Sequence, residues 1–318
     1  MKQNKGHKLI IVCLIVLILV ALCFLGLKEK REKIKGAERE EAYTDLSEED
    51  INLIRYNGKW YKQNPKLATY LLIGEDGKQA DFLLALAIDE ENESYKVLQI
   101  NRDTMADVPQ LDIYGNEIGT KTQQIALAHT HSEDEEINCK NTVKAVSNLF
   151  YGVDIDHYVC VPMDIVPKVN DLVGGVPVLI EDDFSKVDES LTIGKTVVLN
   201  GEQALRFVRA RGEMEDPTNI AREVRQRTYM HSLQQKAVKK LAKDSNFAIS
   251  SLFELSPYIT SDCTINQLAE ILDIALKGKS EEIQTIKGEA KLGIEYMEFH
   301  VDEEALQKQV VEMFFVEE

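Results

Sequence analysis

The chain has 318 residues, enough for one large domain or two modest ones, and its 37 Lys/Arg against 54 Asp/Glu give a net charge of −17. Residues 1–35 hold eight of the basic residues and two of the acids, so the remainder stands at 29 against 52, a net charge of −23. A body that acidic repels nucleic acid outside a local basic patch, which excludes a DNA-binding regulator with a broad basic footprint.

Behind a short tail (1–8), Leu9 to Leu27 form an uninterrupted apolar run. As a helix it crosses about 28 Å of hydrocarbon. It ends in Leu25-Gly26-Leu27 and then charge, not in the small-residue site that a peptidase cuts. Leu22 before Cys23 is likewise unlike the small residue of a lipoprotein signal. The expectation is an uncleaved transmembrane signal anchor. Lys28, Lys30, Arg31, Lys33 and Lys35 after the span outnumber Lys2, Lys5 and Lys8 before it. Taken alone, the positive-inside rule would leave the C-terminal side in the cytoplasm, although large C-terminal domains are exported despite such flanks. Residues 28–66 read as a charged stalk.

Ala68 to Gly74, Phe82 to Ile88 and Tyr95 to Ile100 are short apolar runs bounded by turn residues, the pattern of buried strands. Asn141 to Phe150 has helical apolar spacing and stops at Gly152. A strand at Tyr158–Val161, a helix at Asp164–Val173 closed by Gly174-Gly175, and a strand at Val176–Ile180 follow. Asn200 is placed to cap one helix, and a long helix runs from Ile220 to Lys243. These alternations predict a three-layer α/β/α domain over 67–243 with a central mixed sheet. Residues 244–318, with helical spacing at Ile265–Leu276 and Glu303–Phe315 around a strand at Tyr296–Val301, read as an α/β extension packed on the same core.

Six of the ten arginines fall between Arg206 and Arg227: Arg206, Arg209, Arg211, Arg222, Arg225 and Arg227. A guanidinium is a planar, permanently charged fork whose parallel N–H groups match two phosphate oxygens. The bland alternative is pairing with surface carboxylates, each pair worth about 0–1 kcal/mol. Asp76 and Asp81 fall at adjacent strand ends, where two carboxylates suit Mg²⁺ on a phosphate ligand. Asn101-Arg102-Asp103-Thr104 follows another strand end, the place where ligands gather in open α/β sheets. Cys139, Cys160 and Cys263 have no zinc or disulfide spacing, and the His129/His131 pair lacks a third ligand at suitable spacing. Gly194-Lys195-Thr196 lacks the upstream glycine of a phosphate loop.

In order, the chain carries Leu71-Leu72-Ile73-Gly74-Glu75-Asp76, Asp81, Arg102-Asp103-Thr104 and Tyr151-Gly152-Val153-Asp154-Ile155-Asp156-His157-Tyr158-Val159. Asp171-Leu172-Val173-Gly174-Gly175-Val176-Pro177-Val178 comes next, then Leu199-Asn200-Gly201 through Arg209-Ala210-Arg211, and Ala221-Arg222 with Arg225-Gln226. This series resembles the LytR-CpsA-Psr family of cell-wall phosphotransferases over roughly Leu67 to Lys243. The resemblance implies an exported domain on a membrane anchor. It implies transfer of a glycopolymer from a polyprenyl-pyrophosphate carrier to a peptidoglycan hydroxyl through a phosphodiester. By position, Asp76 and Asp81 would bind Mg²⁺. Arg102, Arg209, Arg211, Arg222, Arg225 and Gln226 would grip the pyrophosphate, and Asp103 would orient Arg102 or act as a base. Lys121 would stand in for a lysine that members often carry in a Lys-Ile-Asn segment. The Asp76–Asp81 loop is shorter than is usual in the family. The lipid tail needs an apolar cavity, for which Leu83, Ala85, Val159 and Val169 are candidates. Two other activities fit the same residues: a non-catalytic module binding lipid-linked anionic glycans, and a pyrophosphatase releasing lipid monophosphate to water.

Overall fold

The structure, a computed structural model, describes residues 53–244, 247–264, 267–268, 279–280 and 283–318; the expected anchor and most of the expected helix at 265–276 lie outside them. Among the described residues no helix is long and apolar enough to cross a membrane. The elements begin with strands β1 (Leu53–Tyr56), β2 (Lys59–Gln63), β3 (Leu67–Asp76), β4 (Gln79–Asp89), β5 (Ser94–Ile100), β6 (Met105–Leu111) and β7 (Glu117–Gln124). Helix α1 (Glu135–Leu149), β8 (His157–Pro162), α2 (Val166–Leu172), β9 (Val176–Leu179), β10 (Thr196–Leu199), α3 (Gly201–Arg209) and α4 (Asn219–Leu241) follow. The C-terminal part supplies α5 (Phe247–Leu255), β11 (Thr260–Ser261), β12 (Lys279–Ser280), β13 (Gln284–Thr285), β14 (Gly288–Leu292), β15 (Met297–Val301), α6 (Glu303–Phe314) and β16 (Phe315–Glu317).

The central sheet runs β11-β8-β3-β4-β5-β12, with β13 also on β5. It is mixed: β8 lies parallel to β3, β4 runs antiparallel to both β3 and β5, and β12 and β13 are parallel to β5. Successive side chains on a strand face opposite ways, and here both faces are covered. Tyr70, Leu72, Leu84 and Leu86 pack with Val169, Phe207, Tyr229 and Leu233 of α2, α3 and α4. Leu71, Ile73, Leu83 and Ala85 pack with Ala145 and Val146 of α1 and with Leu306 and Val310 of α6. That double burial is why β3 and β4 read as continuous apolar runs and not as alternating ones.

Caps fix the helices that matter for the site. Asn200 accepts from the Gln203 backbone at 2.9 Å while Gln203 Oε1 accepts from the Asn200 backbone at 3.0 Å, a capping box that starts α3. Thr218 caps α4, and Asp134 caps α1, which therefore begins at Glu135 and not at Asn141. At its other end Gly152 takes a φ of 89° and its N–H closes on Ser147 O at 2.8 Å, the glycine stop expected from the sequence.

Some elements were hidden by their polarity. The β1–β2 hairpin lies within the stretch expected to be stalk; of β1 and β2 only Ile54 is buried, and Lys59 and Lys62 mask the pattern. The β6–β7 ribbon is largely exposed along β7. The C-terminal part is woven into the same body: β11, β12 and β13 extend the central sheet, and β16 adds to β2.

Candidate active site

Three loops and two helices meet at one end of the sheet, the end where parallel strands β3 and β8 finish. Strand β3 turns into β4 through Gly77 and Lys78, both at positive φ (60° and 68°), a two-residue hairpin turn. The register pairs Asp76 with Gln79, so Asp81 follows just inside β4. The loop after β5 brings Asn101, Arg102 and Asp103. Arg209 ends α3, Arg211 follows it, and Arg222 sits in the first turns of α4.

Asp81 is the hub. Arg102 donates from Nη1 to Asp81 Oδ1 and from Nη2 to Gln79 Oε1. Arg222 donates from Nη1 to Asp81 Oδ2 at 2.8 Å and from Nη2 to the Asp81 carbonyl at 3.2 Å. Asp103 serves two more donors: Oδ1 accepts from Gln124 Nε2 at 3.0 Å and Oδ2 from Arg211 Nη2 at 3.1 Å, with Arg102 Nε 3.4 Å from Oδ1. Asp76 Oδ1 accepts from Arg209 Nη2 at 2.6 Å, and Asp164 lies 3.1 Å from the same nitrogen. Strand β15 buttresses this arrangement, since Phe299 N–H donates to Asp103 O at 2.8 Å and Gln124 also donates to Met297 O at 2.7 Å.

The charges are crowded and partly dry. Burial lowers the Arg102 pKa, opposed by Asp81 and Asp103 and reinforced by Arg222 and Arg211. Burial pushes the Asp103 carboxyl up against the pull of Arg211 and Arg102. Burial also raises Asp76, with Asp81 and Asp164 adding to the effect against Arg209. The buried Nε–H groups of Arg102, Arg209 and Arg222 find no acceptor among the described residues. The same is true of Arg225 outside the cluster, so the orphaned Nε–H groups record crowding of guanidiniums, and an anion would be met by the Nη groups. The carboxylates of Asp76 and Asp81 are hard oxygen donors held beside the cluster. Both Asp81 oxygens accept from Arg102 and Arg222, and Asp76 and Asp164 meet Arg209, so these hard oxygen donors match Mg²⁺ in chemistry and would be shared between the cation and the arginines.

Two residues expected here are elsewhere. Arg225 donates from Nη1 to Asp182 at 3.0 Å and from Nη2 to Ala210 O, with its guanidinium 5.9 Å from the Phe184 ring centroid. It ties α4 to the end of α3 and takes no part in the Asp81 network. Lys121 stands exposed on β7, with no ion pair among the described residues. Gln226 occupies a boundary: it reaches Val208 O at 3.5 Å and lines an apolar cavity between the sheet and helices α2 and α4. That cavity has a volume of about 110 Å³, opens to solvent on one side, and is walled by Phe82, Val159, Met163, Val169, Tyr229 and Leu233, among others. Val159 and Val169 line it as expected. Leu83 and Ala85 do not, because strand alternation turns them to the opposite face and presents Phe82 instead. Sequence reasoning missed Gln79, Gln124 and Asp164, whose only signal is proximity after folding.

The cavity is lined by Gly74, Phe82, Val208 and Gln226, which neighbour Asp76, Asp81, Arg209 and Arg222 along the chain, so phosphate-type donors and hard carboxylates lie close to an apolar cavity, an arrangement suited to an amphiphile with an anionic head. The LytR_cpsA_psr family model matches residues 24–314. The chain belongs to the LytR-CpsA-Psr family. It is 30% identical over 250 residues to the polyisoprenyl-teichoic acid–peptidoglycan teichoic acid transferase TagV of Bacillus subtilis (strain 168), covering 75% of this chain and 59% of that protein. It is 25% identical over 313 residues to the transferase of the same description, TagU, from Enterococcus faecalis (strain ATCC 700802 / V583), covering 96% of this chain and 95% of that one. Among solved structures, TagT bound to LIIa-WTA superposes with a TM-score of 0.60 at 20% identity over 78% of this chain and 90% of that chain, a likeness of fold. The crystal structure of B. subtilis TagV gives a TM-score of 0.54 at 26% identity over 79% of this chain and 98% of that chain.

Proposed function

We propose that the chain is an extracytoplasmic phosphotransferase that moves a glycopolymer from a polyprenyl-pyrophosphate carrier to a peptidoglycan hydroxyl. The single observation that carries this is the arginine–aspartate cluster, whose chain neighbours Gly74, Phe82, Val208 and Gln226 line the apolar cavity. The names of the relatives add the polymer class, a teichoic acid, and the acceptor. In this reading the run Leu9–Leu27 anchors the chain in the membrane with the catalytic domain outside.

Phosphoryl transfer is mostly positioning and stabilisation of charge on the transferring and leaving oxygens. Arg102, Arg209, Arg211 and Arg222 hold the pyrophosphate through their guanidiniums, and Asp103 keeps Arg102 and Arg211 at fixed angles. Asp103 accepts from Gln124 and Arg211, which gives it a positioning role in this reading. Asp76 and Asp81 would hold Mg²⁺, which when bound neutralises charge on the pyrophosphate. The polyprenyl tail occupies the cavity, with Gln226 at the boundary between head and tail. The acceptor oxygen bonds to the glycan-side phosphorus as that phosphorus breaks its bond to the bridging oxygen. Lipid monophosphate leaves, carrying in net terms the hydroxyl proton.

The test uses the full chain in detergent with a polyprenyl-pyrophosphate oligosaccharide and peptidoglycan fragments, with and without Mg²⁺. A phosphodiester-linked product by mass spectrometry, formed only with the metal, is the expected result. Lipid monophosphate without that product would mean hydrolysis, and tight lipid binding without turnover would mean a binding module.

A further inference from the structure

We propose that His129, Glu135, Cys139 and Cys160 form a structural Zn²⁺ site beneath the arginine cluster. The sequence offered His129 no ligand partners at zinc spacing. The fold supplies them, since α1 brings Glu135 and Cys139 and β8 brings Cys160 from the opposite direction. One ligand atom from each lies within 4.8 Å of all the others. Bonds of 2.0–2.3 Å in a tetrahedron separate neighbouring ligand atoms by about 3.3–3.8 Å. The observed separations bracket that spacing: His129 Nε2 to Glu135 Oε1 is 2.8 Å, Cys160 Sγ to Glu135 Oε1 3.3 Å, and Cys160 Sγ to His129 Nε2 3.8 Å.

Thr142 Oγ1 lies 3.0 Å from His129 Nδ1 and 2.8 Å from Asn138 O. With a cation on Nε2, Nδ1–H donates to Thr142 Oγ1 while Thr142 donates to Asn138 O. A histidine ligand whose other nitrogen donates to a fixed oxygen is the usual support of a zinc site. Two thiolates and an imidazole select Zn²⁺ over Mg²⁺, which separates this site from Asp76 and Asp81.

Four protein ligands close the coordination sphere, the arrangement of a structural zinc. Cys139 and Cys160 are buried, while Glu135 is 38% exposed and gives the ion a path in. The consequence reaches the active site. His129 belongs to the 3₁₀ turn Ile125–Thr130, and Ala126 N–H of that turn donates to Arg102 O at 3.1 Å. A zinc clamp on this turn, α1 and β8 therefore fixes the floor under Arg102 and Asp103.

The full chain in detergent, free of histidine tags and chelators, is titrated with Co²⁺ as a spectroscopic probe. One equivalent per chain is expected, with tetrahedral d–d bands and thiolate-to-cobalt charge transfer, displaced by Zn²⁺ and indifferent to excess Mg²⁺. The Cys139→Ser/Cys160→Ser double variant loses the bands. Serine variants of buried thiols risk misfolding, so alkylation of the wild-type chain provides a second readout. Zn²⁺ should slow modification of Cys139 and Cys160 at least tenfold; Cys263 is scored apart, since it lies in a separate group with His157 and Asp262. Absence of the bands, equal alkylation with and without Zn²⁺, or a Cys139–Cys160 disulfide in the exported protein would each overturn the proposal.

Discussion

Replacing Asp81 with asparagine keeps the volume and removes the one charge shared by Arg102 and Arg222. The side chains of Asp81, Arg102 and Arg222 are 9%, 11% and 5% exposed, so solvent cannot replace what is lost. Removing one partner of a buried pair costs about 3–5 kcal/mol because the other charge stays buried and unpaired. Here Arg222 keeps the Asp81 carbonyl at 3.2 Å and Arg102 keeps Gln79, which favours the lower end. The oxygen of the substituted amide would still accept from one guanidinium, while its N–H donors would face the other. The expected loss is about 3 kcal/mol, roughly a 150-fold fall in the folding constant. Urea unfolding of the full chain followed by circular dichroism, with divalent metals chelated, measures it.

Inorganic pyrophosphate added to both proteins supplies the second half of this experiment. If the arginines form the anion site, pyrophosphate should recover part of the D81N loss and raise its midpoint more than that of the wild type, where Asp81 competes for the same guanidiniums. A loss below about 1 kcal/mol would class the Asp81 pairs with screened surface pairs. Equal stabilisation of both proteins by pyrophosphate would place the anion elsewhere. Either result refutes the site as described.

Arg102→Ala should lower transfer about 10²–10³-fold, the usual effect of losing one transition-state donor, and cost about 1–3 kcal/mol of stability through its lost Asp81 and Gln79 hydrogen bonds; single-turnover assays and unfolding curves check the two halves. Arg225→Ala should cost about 2 kcal/mol through its lost Asp182 and Ala210 hydrogen bonds while leaving the KM for donor unchanged. Val169→Phe should fill the cavity and raise the KM for lipid-linked donor without altering the affinity for inorganic pyrophosphate. Burial pushes Glu223 up from 4.5 to about 7. Its folded pKa exceeds its unfolded one, so its contribution is fully present below about pH 4.5 and is lost as pH rises through 7, on the order of 3 kcal/mol. Glu223→Gln should therefore be more stable than wild type at pH 8 and no more stable at pH 4.5, as compared by urea midpoints.

Local chemistry made part of this molecule readable. The apolar runs of β3, β4 and β5 and the Asn200 cap need only neighbours in sequence to be recognised, and the ordered motifs place Arg102, Arg209, Arg211 and Arg222 together. Register was not readable: a continuous apolar strand does not announce which face each residue takes, so Leu83 and Ala85 were assigned to a cavity that Phe82 lines. Nor does helical spacing separate Arg222 from Arg225, since both fall on the buried side of α4 and only the surrounding acceptors distinguish them. The His129–Cys160 cluster joins residues from three elements, a separation that no short-range spacing rule covers.

The three site aspartates answer a problem that the arginines create. Four guanidiniums at one sheet end repel one another, and part of that cost shows in the lowered pKa of Arg102. Asp76, Asp81 and Asp103 supply one carboxylate for each part of the cluster, so the forks are aimed before any substrate arrives. Preorganised donors of this kind need no rearrangement as charge develops, which is the main source of electrostatic catalysis. The acidic remainder of the chain then acts in the same direction. A body at −23 outside residues 1–35 repels an anionic polymer overall, so attraction is focused where the arginines open. Rising salt should therefore weaken donor capture by screening the cluster.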